Sequence, residues 1–247
     1  MPTVAHVTFA AHGDPPLRLE GLLHRAEAGT PAVGSCVLLH PHAVFRGSMD
    51  AWLLSRIADR LAEDGWTVLR FNFRGVGASE GSSGDGTGEL HDVLGGLAFL
   101  DKVAGMAGAG GRGESPHEPG GRGESPHEPG GRGESPCRVA VVGWSFGALV
   151  GLLLAKYQVR VTDWVGIGPP TRRLRAIPMV DPPYHALPGW SARRCVVVGE
   201  LDELYPPRSV GVLDPDVVHV MPGADHFMAG RDEEVADVVS RVLDTTS

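Results

Sequence analysis

Short apolar runs alternate along most of the chain with segments in which apolar residues recur at the spacing of a helix. The runs predict strands, and the helical spacing predicts amphipathic helices. The predicted strands cover residues 4–9, 17–24, 36–39, 66–71, 138–142, 164–167, 194–198 and 217–221. The predicted helices cover residues 49–64, 90–103, a segment directly after residue 145, and 233–243.

This alternation favours an α/β fold in which helices cover both faces of a mostly parallel central sheet. The first two strands are the exception, because only a turn at residues 12–16 separates them, and we expect them to form an antiparallel pair. Parallel sheets of this kind bind ligands beyond the carboxyl ends of their strands. The residues that follow each predicted strand are therefore the first candidates for function.

A tandem repeat interrupts the alternation. The sequence Gly-Arg-Gly-Glu-Ser-Pro-His-Glu-Pro-Gly occurs twice in full and once in part within residues 111–136. Such a composition cannot bury apolar surface, so we expect a disordered loop, inserted at about 108–136 into a single domain that spans residues 1–247. Metal binding by His117 and His127, or docking of a partner, is the alternative for this segment.

Composition and charge narrow the range of partners. A net charge of −8, with 42% hydrophobic and 21% charged residues, is ordinary for a globular protein and argues against a nucleic-acid partner. The best apolar run, at 148–155, is too short to span a bilayer, and the first residues lack the pattern of a signal peptide. Cys36, Cys137 and Cys195 each lie at the start of a predicted strand and are expected to be small buried hydrophobes. We expect a cytoplasmic protein without membrane contact.

The strongest chemical signal is the motif Gly143-x-Ser145-x-Gly147, which directly follows a predicted strand and precedes a predicted helix. A serine in this position is typical of a nucleophile elbow. The residues two positions before and after the serine must be very small, because the turn is tight and strained. We predict that Ser145 is a nucleophile near a helix N-terminus, and the alternative is a glycine-rich turn with an incidental serine.

Two further strand ends supply partners for a serine nucleophile. Asp202 follows the strand at 194–198, and His226 follows the strand at 217–221. In such chemistry, a histidine accepts the serine proton and later delivers it to the leaving group, while a carboxylate holds the imidazole in the required tautomer. The predicted catalytic residues are therefore Ser145, His226 and Asp202.

Three other carboxylates compete with Asp202 for this role. Glu200 and Glu203 lie in the same segment, and Asp225 directly precedes His226. Asp202 is preferred over Asp225 because the side chains of adjacent residues rarely point at one another. The alternative for His226 is a surface histidine before the last helix.

Acyl transfer through a serine also needs two backbone N–H groups that stabilise the developing negative charge. Phe146, the residue after the predicted nucleophile, supplies one. The second is expected from His42 or Ala43, in the loop after the strand at 36–39. His40 and His42 have a spacing that metal ligands can use, but no further ligand motif follows, and no metal is predicted.

Together these motifs resemble the α/β-hydrolase superfamily and look closest to its small, near-lidless bacterial serine hydrolases. The resemblance is carried by five motifs, at residues 39–42, 70–81, 143–147, 199–202 and 223–227. The chain order Ser, Asp, His is also that of the family. The resemblance implies acyl transfer to water through a seryl intermediate, with a small-molecule acyl substrate and no cofactor. The chain departs from the family in its long insert and at Arg46-Gly47, where a glycine pair is usual.

A second interpretation of residues 70–81 is a dinucleotide-binding turn. Gly75-x-Gly77 after a strand fits its start, but Glu80 occupies the position of the third glycine and no helix begins at once. A nucleotide-dependent oxidoreductase is therefore only a weak alternative. Asn72 and Arg74 are expected to brace the floor of the active site.

Substrate selection is expected in residues 169–190, where about 20 residues suffice for a small lip but not for a large lid. Trp144, Met179 and Tyr184 are the candidate substrate-binding residues, and packing of the lip is the alternative for Met179 and Tyr184. The function predicted is a serine hydrolase that cleaves a small or medium carboxylic ester or thioester. The alternatives are a non-catalytic binding or scaffold protein of the same fold and a peptidase or amidase.

Overall fold

A computed structural model of the chain describes residues 2–109, 138–159, 161–175 and 177–244. The insertion expected at about 108–136 lies almost entirely outside these ranges, and so does Cys137.

The described residues form an eight-stranded sheet. Its strands are β1 Thr3–Ala10, β2 Arg18–Arg25, β3 Gly34–Leu39, β4 Trp66–Phe71, β5 Arg138–Trp144, β6 Asp163–Ile167, β7 Arg193–Gly199 and β8 Val217–Met221. They lie in the order β1-β2-β4-β3-β5-β6-β7-β8. β2 pairs antiparallel with β1 and β4, and the remaining pairs are parallel. The predicted, mostly parallel sheet with an antiparallel first pair is confirmed.

The central strands are buried on both faces. In β3, Cys36 and Leu38 belong to one hydrophobic core, whereas Val37 and Leu39 belong to the other. Because successive side chains of a strand point to opposite faces, a continuous apolar run fills two cores at once. This is why the predicted central strands 36–39 and 164–167 contain no charged residue.

Within the described ranges, four α-helices cover the two faces of the sheet: α1 Trp52–Glu63, α2 Thr87–Ala109, α3 Phe146–Leu152 and α4 Asp232–Asp244. Leu53 of α1 and Val239 of α4 pack into the core that holds Cys36. Leu90 of α2 and Leu149 of α3 pack into the opposite core. Helices therefore lie on both faces of the sheet, as predicted for this fold class.

Tertiary hydrogen bonds set helix ends that the sequence pattern misplaces. The prediction that the first helix begins at residue 49 is wrong, because the Met49 N–H donates to Asn72 Oδ1 at 2.7 Å and holds this segment in a turn before α1. The buried carboxylate of Glu89 accepts the N–H groups of Gly84 at 2.6 Å and Gly86 at 3.1 Å, which fixes the start of α2. α2 also continues past residue 103, its predicted end, to Ala109.

Cys36 and Cys195 are free and buried, as expected. Burial raises the pKa of both thiols, so they stay protonated at neutral pH. None of the helices that the structure describes combines the length and apolar character needed to cross a bilayer.

Candidate active site

Ser145 lies in the tight turn that joins β5 to α3. Its backbone adopts φ 52° and ψ −114°, a conformation that side-chain-bearing residues rarely adopt. The neighbouring strand β6 stabilises the turn, because the Ser145 N–H donates to the carbonyl oxygen of Ile167 at 2.8 Å. The strained elbow predicted from the motif is therefore present in the structure.

The two motif glycines are required by close backbone approaches. A Cβ on Gly143 would lie 2.4 Å from the backbone nitrogen of Ala148. A Cβ on Gly147 would lie 2.2 Å from the carbonyl oxygen of Leu39, at the end of β3. These glycines let α3 start directly against the neighbouring strand end, so the loop after β3 lies beside the first turn of α3.

The three predicted catalytic side chains lie together at the carboxyl edge of the sheet. Ser145 Oγ is 2.9 Å from His226 Nε2, and His226 Nδ1 is 2.8 Å from Asp202 Oδ2. The Asp202 side chain can only accept when ionised, so Nδ1 carries the imidazole hydrogen and Nε2 presents its lone pair to the serine hydroxyl. We call this arrangement the Ser–His–Asp row.

Asp202 is fixed in the row through both of its carboxylate oxygens. Oδ2 accepts from His226, and Oδ1 accepts the backbone N–H of Tyr205 at 2.8 Å. The residue is only 2% exposed, so these bonds replace the water that a carboxylate otherwise requires.

The competing carboxylates lie elsewhere. Glu200 accepts the N–H of Gly223 at 2.8 Å, and Asp225 accepts the N–H of Phe227 at 2.9 Å. Glu203 is exposed where it lines the cleft described below. Asp202 is thus the carboxylate that contacts the imidazole.

The loop after β3 is organised by the His42 ring. The Val44 N–H donates to Nδ1 at 3.1 Å, so Nε2 carries the hydrogen and donates to the carbonyl oxygen of Pro178 at 3.0 Å. The ring also packs on Phe146, with their centroids 4.4 Å apart. His42 therefore ties the loop to residue 178 on one side and to the first turn of α3 on the other.

Residues 43–45 form a short 3-10 turn, which was not predicted from the sequence. Arg46 follows it in a left-handed conformation at φ 60°. A Cβ on Gly47 would lie 1.8 Å from the carbonyl oxygen of Pro41. The departure from a glycine pair is therefore accommodated: only the second position needs glycine for space, and Arg46 adopts the unusual backbone conformation at the first.

His40 is buried and neutral. Its Nδ1–H donates to the Pro41 carbonyl oxygen at 2.6 Å, and its Nε2 accepts the Phe73 N–H at 3.1 Å. Burial lowers the pKa of His40 to about 4. Both ring nitrogens of His40 and of His42 bind protein groups, and the described part of the chain holds no cluster of three or more His, Cys, Asp or Glu residues suited to a metal.

The Ser–His–Asp row opens into a cleft of about 870 Å³. Trp144 and Met179, two of the predicted substrate-binding residues, line it, and their contact with a substrate stays a prediction. Tyr184 does not line the cleft, and this prediction is wrong. Its hydroxyl donates to the carbonyl oxygen of Thr171, so the side chain holds the lip segment together instead.

Several cleft residues were missed from the sequence. Four of them are large, exposed and apolar: Phe45, Trp52, Leu201 and Phe227. Tyr205 is a fifth and is buried. The available signal was position, because Phe45, Leu201 and Phe227 follow β3, β7 and β8, whose carboxyl ends meet at this edge.

Comparison with known proteins agrees with this geometry. The family model described as "Alpha/beta hydrolase family" matches residues 36–194, which is more than half of the chain. The chain belongs to the alpha/beta hydrolase family.

This hydrolase is 24% identical over 238 residues to an uncharacterized protein of Rickettsia prowazekii. The alignment covers 92% of the chain and 85% of that protein. An alpha-beta serine hydrolase homologue from Coxiella burnetii is 25% identical, with a TM-score of 0.68 and coverage of 96% and 97% of the two chains. A serine hydrolase without a lid from Xanthomonas campestris is 24% identical, with a TM-score of 0.69 and coverage of 99% and 97%.

The hydrolase likewise has little above its cleft. In the described residues between β6 and β7, the regular structure is the 3-10 turn Tyr184–Gly189, and the rest is irregular. A small lip without a large helical lid was expected from the length of this segment.

Asn72 and Arg74 hold the segment after β4 in the hydrolase through side-chain bonds, and a role at the floor of the active site stays a prediction. Asn72 accepts from Met49 and donates to Glu20 Oε1 at 2.7 Å. Arg74 pairs with the buried carboxylate of Asp92 at 2.8 Å. A Cβ on Gly77 would lie 2.1 Å from the same Glu20 oxygen, so this glycine serves packing. The turn thus has a structural explanation that needs no dinucleotide.

Proposed function

We propose that the hydrolase cleaves small or medium carboxylic esters or thioesters through an acyl-enzyme formed on Ser145. The observation that carries the proposal is the continuous hydrogen-bonded Ser–His–Asp row, with 2.9 Å between Ser145 Oγ and His226 Nε2 and 2.8 Å between His226 Nδ1 and Asp202 Oδ2. A serine hydroxyl is a weak nucleophile until an adjacent base accepts its proton.

In the first half of the reaction, Ser145 Oγ attacks the acyl carbon while its proton moves to His226 Nε2. The imidazolium then donates from Nδ1 to Asp202, whose negative charge stabilises it. When the tetrahedral intermediate collapses, His226 delivers the proton to the departing alcohol or thiol. The acyl group remains on Ser145 as an ester.

The backbone N–H of Phe146 and that of His42 or Ala43 would stabilise the oxyanion. Phe146 is the first residue of α3, so its N–H has no acceptor within the helix. The contact between the His42 and Phe146 rings keeps the two segments together. Donors fixed in this way need no reorganisation when charge develops, which is the main source of their effect.

In the second half, a water molecule replaces the leaving group. His226 Nε2 accepts one proton from this water, and the hydroxide oxygen attacks the acyl carbon. The proton then returns to Ser145 Oγ as the carboxylic acid departs. The cleft has no large lid among its described residues, and this leaves a short path for water to the acyl-enzyme.

The lining of the cleft favours an apolar acyl compound of modest size. Trp144 and Met179 line the buried part, and exposed apolar side chains surround the opening. A cleft of about 870 Å³ lies within the range that binds small molecules.

The test is hydrolysis of short p-nitrophenyl esters by purified Ser145→Ala, together with labelling of the intact chain by a fluorophosphonate. We expect kcat/KM to fall at least about 10³-fold and the labelling to disappear. Ser55→Ala, in the first turn of α1 and away from the cleft lining, is the matched control and should behave as the unsubstituted protein. Full activity in Ser145→Ala would contradict the proposal. No labelling of the unsubstituted protein would favour the binding-protein alternative.

Substrates that share one acyl group but differ in the leaving group test which bond the hydrolase cleaves. Hydrolysis of the oxygen ester, thioester and anilide of one short acid should show turnover of the first two and little of the third, because amine expulsion makes greater demands on protonation. Faster cleavage of the anilide would point to a peptidase or amidase.

A further inference from the structure

Tyr205 lies beside the Ser–His–Asp row without being part of it. Its backbone N–H donates to Asp202 Oδ1 at 2.8 Å, and its ring meets the His226 ring edge to face with centroids 5.5 Å apart. The side chain lines the cleft, although it is almost fully buried. A substrate acylating Ser145 therefore lies close to this residue.

The Tyr205 hydroxyl has a weak partner. In the described part of the chain, the group that it contacts as a hydrogen-bond donor is Met179 Sδ, at 3.9 Å, and Met179 also lines the cleft. A thioether sulfur is a poor acceptor compared with an oxygen. The Tyr184 hydroxyl, in contrast, donates to a backbone carbonyl oxygen. Tyr205, a residue of the cleft lining, thus carries a hydroxyl donor that the protein satisfies poorly.

Burial keeps this donor protonated. Removal from water raises the pKa of Tyr205 well above its ordinary range, so the phenol is neutral throughout the pH range in which a serine hydrolase works. A neutral phenol that has left water gains most from an oxygen acceptor placed at its hydroxyl.

The two parts of the cleft differ in exposure. Met179 and Tyr205 are buried, whereas Phe45, Trp52 and Phe227 are exposed at the opening. The leaving group must escape first, and the open side gives it a route. The acyl group must stay until water attacks, so the enclosed side suits it.

We propose that Tyr205 is a specificity-determining residue whose hydroxyl donates a hydrogen bond to an oxygen in the substrate's acyl chain. The preferred substrates are then esters or thioesters of acids that carry a keto, ether or hydroxyl oxygen along the chain, rather than plain fatty acids. This inference rests on the proposed esterase function. Selection of this kind is strong because an acyl chain without the oxygen leaves the buried donor unpaired.

The experiment uses p-nitrophenyl esters in matched pairs. Each pair joins an oxygen-bearing acyl chain with its hydrocarbon counterpart: methoxyacetate with butyrate, 4-oxopentanoate with pentanoate, and 5-oxohexanoate with hexanoate. The kcat/KM ratio within each pair is divided by the ratio of the alkaline hydrolysis rates, which removes intrinsic reactivity. For the best pair, we expect a corrected preference of at least about 10-fold for the oxygen-bearing ester.

Tyr205→Phe should reduce that preference to near one, with the greater loss of kcat/KM on the oxygen-bearing ester. Tyr157→Phe is the control, since Tyr157 is 62% exposed and does not line the cleft, and it should keep the full preference. The melting temperature of Tyr205→Phe should stay within a few degrees, because the hydroxyl removed is held only by a sulfur contact. A marked drop would mean that the hydroxyl serves packing and would overturn the inference.

Two results separate the inference from the proposed function. Turnover of the esters with no oxygen preference in any pair, or with a preference that Tyr205→Phe retains, overturns the role of Tyr205 alone. Absence of turnover with every ester, or turnover that survives Ser145→Ala, overturns the proposed function as well.

Discussion

At the scale of single residues, the site depends on which of several similar side chains the backbone directs inward. Four carboxylates lie close in sequence to the ends of β7 and β8, yet the imidazole contacts Asp202. The reason is local, because the Tyr205 N–H fixes the other Asp202 oxygen and so aims the first at His226. Glu200 and Asp225 instead accept backbone N–H groups of their own neighbourhood.

Replacing Asp202 by Asn tests this assignment. Both Asp202 oxygens accept N–H groups, so one of the two bonds must be lost when an NH₂ group occupies one position, and the imidazole loses its required tautomer. We expect kcat on p-nitrophenyl esters to fall roughly 10³- to 10⁴-fold. Asp225→Asn is the control: its remaining amide oxygen can still accept the Phe227 N–H, and its kcat should stay within about twofold. A larger loss in Asp225→Asn than in Asp202→Asn would reverse the assignment.

Residue chemistry was predictable where a motif constrains the backbone. Ser145 and its two flanking glycines were found because a tight turn excludes any Cβ at those glycine positions. Tyr184 was misassigned and Tyr205 was missed for one reason: the direction of an aromatic side chain in an irregular segment depends on tertiary contacts. Sequence distance from a strand end says nothing about that direction.

At the scale of elements, the site depends on how closely α3 approaches β3. A Cβ on Gly147 would lie 2.2 Å from the carbonyl oxygen of Leu39 and 2.7 Å from that of His40. This approach places the loop after β3 beside the N-terminus of α3. The proposed oxyanion donors come from these two segments, so their spacing is set by the glycine.

Gly147→Ala should therefore damage stability and activity together. The methyl group meets backbone atoms that cannot rotate away, and we expect a destabilisation of about 3 kcal/mol with a large loss of kcat. Gly105→Ala in α2 is the matched control, since nothing lies within 4 Å of its added Cβ. That variant should be more stable by up to about 1 kcal/mol, because alanine favours a helix. Urea unfolding of both variants measures the difference, and equal stability would refute the packing argument.

Element type was more predictable than element ends. β4 and β8 have the predicted bounds, because each is a short run rich in apolar residues that ends at a residue unsuited to continuing it, Asn72 after β4 and Pro222 after β8. The starts of α1 and α2 were placed wrongly because side chains bind the backbone just before each helix. Asn72, distant in sequence, accepts the Met49 N–H before α1, and Glu89 accepts the Gly86 N–H across the first turn of α2. Such bonds leave no periodic signal in the sequence.

At the scale of the whole molecule, two buried histidines make stability depend on pH. Burial lowers the pKa of His40 to about 4, and burial together with the nearby Arg70 guanidinium lowers the pKa of His24. The unfolded chain binds protons on these rings more readily than the folded chain does. Stability is therefore greatest above the unfolded value of 6.5 and falls as the pH decreases toward 4.

The variant His40→Gln should flatten this dependence. Because the pKa of His40 is 6.5 in the unfolded chain and about 4 in the folded one, the folded state should lose about 3 kcal/mol of stability over the full acid titration of this ring. About 2 kcal/mol of that loss should fall between pH 7 and pH 4.5. We expect His40→Gln to be less stable at pH 7.5, with a smaller further loss on acidification; His24 accounts for part of the remaining slope. The exposed His6→Gln is the control. The free energy of unfolding, measured with urea at each pH, would contradict the role of His40 if it fell equally with pH in His40→Gln and in the unsubstituted protein.

The tandem copies join the fold between the end of α2 and the start of β5. In β5, Arg138 lies at the amino edge of the sheet, whereas Ser145 follows the carboxyl edge. Insertion and cleft are thus attached at opposite ends of the same strand. We therefore expect that adding or removing copies of the decapeptide leaves kcat on p-nitrophenyl esters unchanged, and that a fluorophore or affinity handle placed among them does not hinder turnover.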